Sequence, residues 1–198
     1  MPEIKRLAYR LMHGGVLLGL VLCGMLAAGC AEDPKEELNP QQAIFKTEML
    51  RLIQQEIKVF MPLLDQPDPG PKIQANIDRQ FADALKQGKP LDHDLAVLDA
   101  SATILAWRSP DPDDLAKTYQ GFVGQNYSKF TKLNPVYKED KIASFEVYTQ
   151  YGPGLGLCAP MRQGNQLKGV ICLGFDEDSL KKLRGLTKRQ FLDINFNQ

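Results

Sequence analysis

The sequence predicts an α+β domain, with about five antiparallel strands in one sheet and a long N-terminal helix and a second helix packed on it. Three observations predict it. Apolar residues recur at three- and four-residue intervals between Gln41 and Lys86, and after Pro90 they give way to short runs of strand length. Tight-turn sequences separate the first two of those runs from each other and the last three from one another, so the strands within each group are antiparallel. The length of 198 residues suits one domain, or two small ones at most.

The chain opens with Lys5, Arg6 and Arg10, followed by an apolar run from Val16 to Ala28. That run has the length of a signal-peptide core and is short for a bilayer span. It ends in Leu26-Ala27-Ala28-Gly29-Cys30, which resembles the lipobox of bacterial lipoproteins. The resemblance implies that residues 1–29 are a signal peptide cut before Cys30. It also implies that the Cys30 thiol carries a diacylglycerol and that its new amine carries a fatty acyl group such as palmitate. An uncleaved anchor helix, or an ordinary signal cut elsewhere, is the alternative. Several acyl chains anchor firmly, since each buried methylene contributes about 0.8 kcal/mol. Ala31 rather than Asp follows the Cys, which resembles the outer-membrane address of enteric lipoproteins and favours the outer membrane over the inner. Residues 30–40 are acidic with two prolines and read as a tether, and residues 41–198 as a single folded domain.

The first helix is expected over Gln41–Met61, with Ile44, Leu50, Ile53, Ile57, Phe60 and Met61 on its apolar stripe. Pro62 and the run Asp65–Pro71 end it. The second is expected from about Lys72 to Lys86, with Ile73, Ile77, Phe81 and Leu85 on one face, stopped by Gly88 and Pro90. Leu95–Asp99 and Thr103–Trp107 read as a strand pair turning at Ala100-Ser101-Ala102. Ser109–Asp114 breaks the sheet and offers an Asp cap, and Leu115–Asp140 reads as helical in part. Three strands follow, over about Ile142–Tyr151, Leu155–Met161 and Leu167–Phe175. Gly152-Pro153-Gly154 reads as the first turn and Gln163–Gln166 as the second. Asp176–Ser179 caps a closing helix that starts near Leu180.

Four stretches, VLDASATILAW (97–107), GQNYSKF (124–130), LGLCAPM (155–161) and LKGVICLGFD (167–176), resemble the single Cache domain, a PAS-like extracytoplasmic sensor module. The resemblance spans roughly residues 41 to 180. It implies a strand–turn–strand at the first stretch, a helix below the ligand site at the second, and a final hairpin with a Pro in its first arm. Ser101-Ala102 stands where the family's turn Gly is usual. The family's amino-acid-binding signature, an Arg followed closely by Trp-Tyr, is absent, because Trp107-Arg108 stands in reversed order. The resemblance thus implies a fold and a sensing role without naming a ligand.

The chain carries 24 Lys+Arg against 24 Asp+Glu, which argues against a protein held to nucleic acid mainly by phosphate neutralisation, so no nucleic-acid partner is expected. Removal of the signal that the lipobox implies takes away three basic residues and one acidic one (Glu3), so the mature chain is slightly acidic. Of the two histidines, His13 lies in the N-terminal segment and His93 reads as an exposed loop residue between Asp92 and Asp94, with a raised tendency to protonate. No G-x-S-x-G, C-x-x-C-H or zinc spacing occurs. Gly152-Pro153-Gly154-Leu155-Gly156 lacks the Lys-Ser/Thr of a phosphate loop. These readings predict no enzyme, no metal and no cofactor. Lys181, Lys182, Arg184, Lys188 and Arg189 read as a solvated helix face, with anionic lipid or an acidic partner as the alternative.

Cys158 and Cys172 fall on the two arms of the last hairpin. A three-residue loop centred on Asn165 sets them directly opposite, whereas a two-residue Gly164-Asn165 loop sets Cys158 against Ile171. A disulfide and a pair of buried thiols both remain open.

A PAS-like sheet binds small molecules between its concave face and the stretch that crosses it. Trp107, Arg108, Tyr119, Tyr127 and Tyr148 are the expected lining, the aromatics supplying area and Arg108 a bidentate contact to a carboxylate. Each of them also suits a plain core or surface role. The expected ligand is a small carboxylate or an amino-acid-like molecule. The functional expectation is a membrane-anchored periplasmic binding or sensing lipoprotein without enzymatic activity. With no kinase, cyclase or methyl-accepting region in the sequence, it would report to a separate signalling partner. The alternative is a structural or accessory envelope lipoprotein without a small ligand.

Overall fold

Helix α1 spans Pro40–Leu64 and begins with a reciprocal cap. Asn39 Oδ1 accepts from the Gln42 backbone N–H at 2.9 Å, and Gln42 Oε1 accepts from that of Asn39 at 3.0 Å. Losing such a cap costs about 1 kcal/mol. Gln42 Nε2 also donates to Gln190 O at 2.8 Å, which ties the helix start to the C-terminal segment. The computed structural model describes residues 37–110, 121–149 and 152–198, so residues 1–36 with Cys30 lie outside it. Every described element belongs to the unit Leu38–Gln198.

The buried stripe of α1 is Phe45, Met49, Ile53, Glu56 and Phe60, one position away from the expected start. Ile44 is 60% exposed. One residue turns a helix by about 100°, and the ring of Phe45 takes the inward place, edge-on to Phe175 (5.5 Å) and Phe191 (5.9 Å). Helix α2 spans Pro69–Lys86 and starts three residues earlier than expected, because a Pro in the first turn is pre-set for a helix. Ile73, Ile77 and Phe81 are buried, but Leu85 in the last turn is 67% exposed.

Strands β1 (Asp94–Asp99), β2 (Ile104–Arg108), β3 (Ala143–Thr149), β4 (Gly152–Gln163) and β5 (Gln166–Phe175) form one antiparallel sheet in the order β2-β1-β5-β4-β3. This is the PAS-like α+β arrangement that the sequence predicts. Gly152-Pro153-Gly154 is no turn but the start of β4, paired with Thr149, Tyr148 and Val147. Pro153 is tolerated there because β5 pairs with β4 only from Leu155 onward, leaving one side of Pro153 without a strand.

Between β1 and β2, Asp99 Oδ1 accepts from the backbone N–H groups of Ser101 (2.8 Å) and Thr103 (2.9 Å). Ala102, in the Ser101-Ala102 pair that stands where the turn Gly is expected, adopts φ +67°. The outer edge of β2 is covered by the amide of Gln74 from α2. It donates to Trp107 O at 3.2 Å and accepts from Trp107 N–H at 3.0 Å, as a neighbouring strand would.

A short helix α3 (Asn134–Lys138) precedes β3, and α4 (Glu177–Arg184) and α5 (Lys188–Leu192) close the chain. Asp176 caps α4 by accepting from Ser179 N–H at 2.8 Å. One face of the sheet packs on α1, α2 and the C-terminal helices around Phe45, Phe60, Ile77, Leu157, Ile171 and Phe191. The opposite face packs on the stretch from Phe122 to Tyr137. No helix among the described residues is long and apolar enough to cross a membrane.

Candidate ligand-binding site

Register across the sheet builds the site. Asp94 pairs with Gly174, Gly174 with Gly156, and Gly156 with Phe145, so these four form one cross-strand row. Residues two apart in a strand share a face. The next row is therefore Ala96, Cys172, Cys158 and Ala143, continued to Trp107 on β2. A bulge at Leu105 lets Ile104 share this face with Trp107, since Leu98 pairs with Ile104 while Val97 pairs with Ala106.

The two glycines form a low floor, and their neighbours lean over it. A Cβ on Gly156 would lie 2.6 Å from Phe145 Cε2, and one on Gly174 would lie 3.0 Å from both Cβ and Oδ2 of Asp94. Phe122, Tyr127, Phe130 and Leu133 from the crossing stretch face this floor. Trp107 and Phe122 stack at 5.1 Å, and Phe130 meets Phe145 edge-on at 5.4 Å. The walls enclose about 220 Å³. Among the described lining residues Asp94 is the one acidic side chain, and none is Lys, Arg or His. Tyr127 donates its hydroxyl to Gln125 Oε1 at 2.9 Å, and burial pushes its phenol above the ordinary value. A second cavity of about 460 Å³ shares Asp94, Val147, Leu155 and Gly174 with the first and adds Asp92, His93 and Ser109.

Of the expected lining residues, Trp107 and Tyr127 stand in this cavity. Arg108 does not. Adjacent strand residues point to opposite faces, and Arg108 faces α2, with Nη1 2.7 Å from Asp78 Oδ1 and its guanidinium 5.4 Å from the Phe81 ring centroid. Tyr148 is likewise outside, 73% exposed, with its hydroxyl donating to Glu146 Oε1 at 2.8 Å. Tyr119 lies outside the described residues. Asp94, Gly156, Gly174 and the phenylalanines were not anticipated. Gly156 faces Gly174 in the same hairpin register that sets Cys158 opposite Cys172, two residues along, which is one of the two registers that the sequence leaves open.

Cys158 and Cys172 are joined as a disulfide beside the glycine floor, with Cα atoms 4.1 Å apart. The loop has two residues, Gly164 (φ +60°) and Asn165, yet a bulge at Met161–Arg162 restores the register that opposes the cysteines. His93 is buried at 5% exposure rather than exposed, because its ring packs 6.1 Å from that of Phe175. Its Nδ1 lies 3.1 Å from Asp92 Oδ1. Burial opposes the charged form of Asp92, but hydrogen bonds from His93 and Arg184 outweigh it and hold the carboxyl well below its ordinary range. In the basic C-terminal cluster, Arg184 pairs with Asp92 and Glu48, Lys188 with Glu146 and Glu177, and Arg189 with Asp193. Lys181 and Lys182 are exposed.

No family model matches the sequence, and no curated protein matches it. Among solved structures, the chain is similar to the sensor domain of the Vibrio cholerae histidine kinase DctB, at 13% identity and TM-score 0.38, covering 72% of this chain and 55% of that one. It is also similar to the Escherichia coli DcuS sensor domain, at 13% identity and TM-score 0.42, covering 73% and 97%. A third similarity is to an extracellular ligand-binding receptor from Desulfohalobium retbaense, at 17% identity and TM-score 0.38, covering 63% and 26%. The chain thus spans about half the length of the first of these and a quarter of the third. At such values no residue role or ligand passes from them to this chain.

Proposed function

We propose that this chain is a lipid-anchored extracytoplasmic module that binds a small molecule and acts as a sensor without catalysing a reaction. The observation that carries the reading is the 220 Å³ cavity on the concave face. Its floor consists of two facing glycines and its walls are aromatic, so the sequence withholds side chains where a packed core would place them. An apolar cavity of about 150 Å³ is enough to take up benzene, so this one has room for a ring and a short chain.

The anchor is the lipidated Cys30 implied by the lipobox, with residues 1–29 removed and residues 30–40 as tether. Ala31 favours the periplasmic side of the outer membrane. A binding event in such a domain reaches a separate signalling partner through its surface.

A thermal-shift screen of the purified chain against small amines, alcohols, carboxylates and amino acids tests the binding reading. A ligand at about 100 times its dissociation constant stabilises by roughly 2.7 kcal/mol. No stabilisation across the panel would defeat this reading and leave that of a ligand-free accessory lipoprotein. Cys30→Ser tests the anchor separately, because the variant should leave the membrane fraction after an alkaline wash.

A further inference from the structure

Resting on that binding site, we infer that it is redox-gated. The Cys158–Cys172 disulfide is part of the surface that the ligand touches, a small dithiol reductant opens it, and the freed thiols close the site. Both cysteines line the cavity beside the glycine floor. In their cross-strand row they stand between Ala96 and Ala143, so this part of the floor is also built from small side chains. The opposite face of the sheet is packed on α1, α2 and the C-terminal helices, so the sulfurs are approached from the cavity side.

The bridge keeps this floor low. Bonded sulfurs lie closer together than two thiols can approach, so reduction forces the Sγ atoms apart. Along the strands, the next residues on this face are Pro160 and Val170 on one side and Gly156 and Gly174 on the other. Val170 is fully buried in the packed cluster that also holds Cys158, whereas the glycines carry no side chain. The room left to a freed sulfur is therefore the space a ligand would use. Cys158 is 1% exposed and Cys172 half-buried, so a thiolate of the reductant attacks Cys172 Sγ. The Cys158–Cys172 bond breaks as the mixed disulfide forms, and Cys158 leaves as a thiolate and takes up a proton. The second thiol of the reductant then displaces Cys172. Two electrons and two protons thus pass to the pair, and the reductant departs as a cyclic disulfide. Coupling between the two equilibria is reciprocal, so the ligand holds the pair oxidised by the same factor that reduction weakens the ligand.

The test uses fluorobenzene, a neutral aryl probe, titrated into the whole chain in detergent and followed by fluorine NMR. The oxidised chain should bind it, and reduction by dithiothreitol should weaken binding about tenfold, an ordinary size for coupling between two sites. Cys158→Ala with Cys172→Ala has neither bridge nor sulfurs, so it should bind fluorobenzene as tightly as the oxidised chain and ignore dithiothreitol. A second measurement needs no folded reduced chain. Fluorobenzene should slow the reduction of the native chain in proportion to its occupancy, and the rate without probe should not change in urea well below the unfolding midpoint. Equal affinity in both redox states, or a double variant that binds as weakly as the reduced chain, overturns the gate while the binding site stands. A reduction rate that ignores fluorobenzene, or that follows urea, overturns it in the same way. If the oxidised chain takes up no fluorobenzene, the cavity admits no ring and the binding reading falls as well.

Discussion

Cys158 and Cys172 face one another across β4 and β5 only because the bulge at Met161–Arg162 offsets a two-residue turn. Without the bulge, Cys158 would oppose Ile171 and a one-residue slip would turn the sulfurs to opposite faces. Their separation of 14 residues closes a loop of the size for which cross-linking removes about 3 kcal/mol of unfolded-state entropy. Replacing both cysteines by alanine should lower stability by about 2–3 kcal/mol in urea denaturation. Dithiothreitol should lower the wild-type chain by a similar amount and leave the variant unaffected. A double variant as stable as wild type would show that the hairpin alone already restricts the unfolded chain.

Particular residues show where the sequence was legible and where it was not. Helix and strand periods placed both long helices and the five strands, because each buries one face and its apolar spacing records that face. The same spacing misassigned Ile44 and Leu85, which fit the period but point outward, since it ranks positions without knowing which ring the sheet receives. Trp107 was legible as a cavity residue through its size. Arg108 beside it was misread, as strand alternation forbids neighbours from sharing a face. Asp94 escaped notice as one carboxylate of a loop-like Asp-His-Asp. Its meaning comes only from Gly174, which lies 80 positions away in the chain and is brought opposite by β1–β5 pairing.

Arg108 offers a check on that correction. Its pairing with Asp78 and its position over Phe81 fasten β2 to α2, while Nε is buried without a hydrogen-bond partner among the described residues. The pair is partly exposed, so Arg108→Ala should cost only about 1 kcal/mol of stability. The stabilisation given by any ligand found in the thermal-shift panel should be unchanged, because Arg108 lies on the other face of the sheet. A tenfold loss of affinity at unchanged stability would return Arg108 to the cavity.

Glu56 is a carboxyl on the buried face of α1, 8% exposed, whose Oε2 accepts from Gln80 Nε2 at 2.9 Å. Burial raises its pKa above the ordinary value, and the Gln80 hydrogen bond and nearby His93 offset this only in part. The folded state therefore holds the proton more tightly than the unfolded state. That contribution is fully present below the unfolded pKa and is lost as pH rises through the folded value. Glu56→Gln removes the ionisation and keeps an acceptor for Gln80. It should be more stable than wild type at pH 7.5, with the gap closing toward pH 4. Urea denaturation at the two pH values measures this, and a gap independent of pH would assign the effect to packing.

Phe145 and Gly156 supply the strictest test of how the cavity is built. The would-be Cβ of Gly156 meets the ring at 2.6 Å from Cε2 and 2.9 Å from Cζ, closer than carbon atoms approach. The ring cannot swing away freely, because it is held edge-on to Phe130 at 5.4 Å and is 9% exposed. Gly156→Ala should therefore cost about 1–3 kcal/mol, as overpacking does, and weaken any ligand found in the thermal-shift panel by filling the floor. Phe145→Leu shortens the side chain and costs stability by itself, since it gives up ring contacts. Combined, the two changes should be less destabilising than the sum of the singles by at least about 1 kcal/mol, because each relieves the strain or the gap the other makes. A strictly additive double variant would mean that the ring already moves out of the way, and that the close approach of Phe145 to the glycine floor does not shape the site.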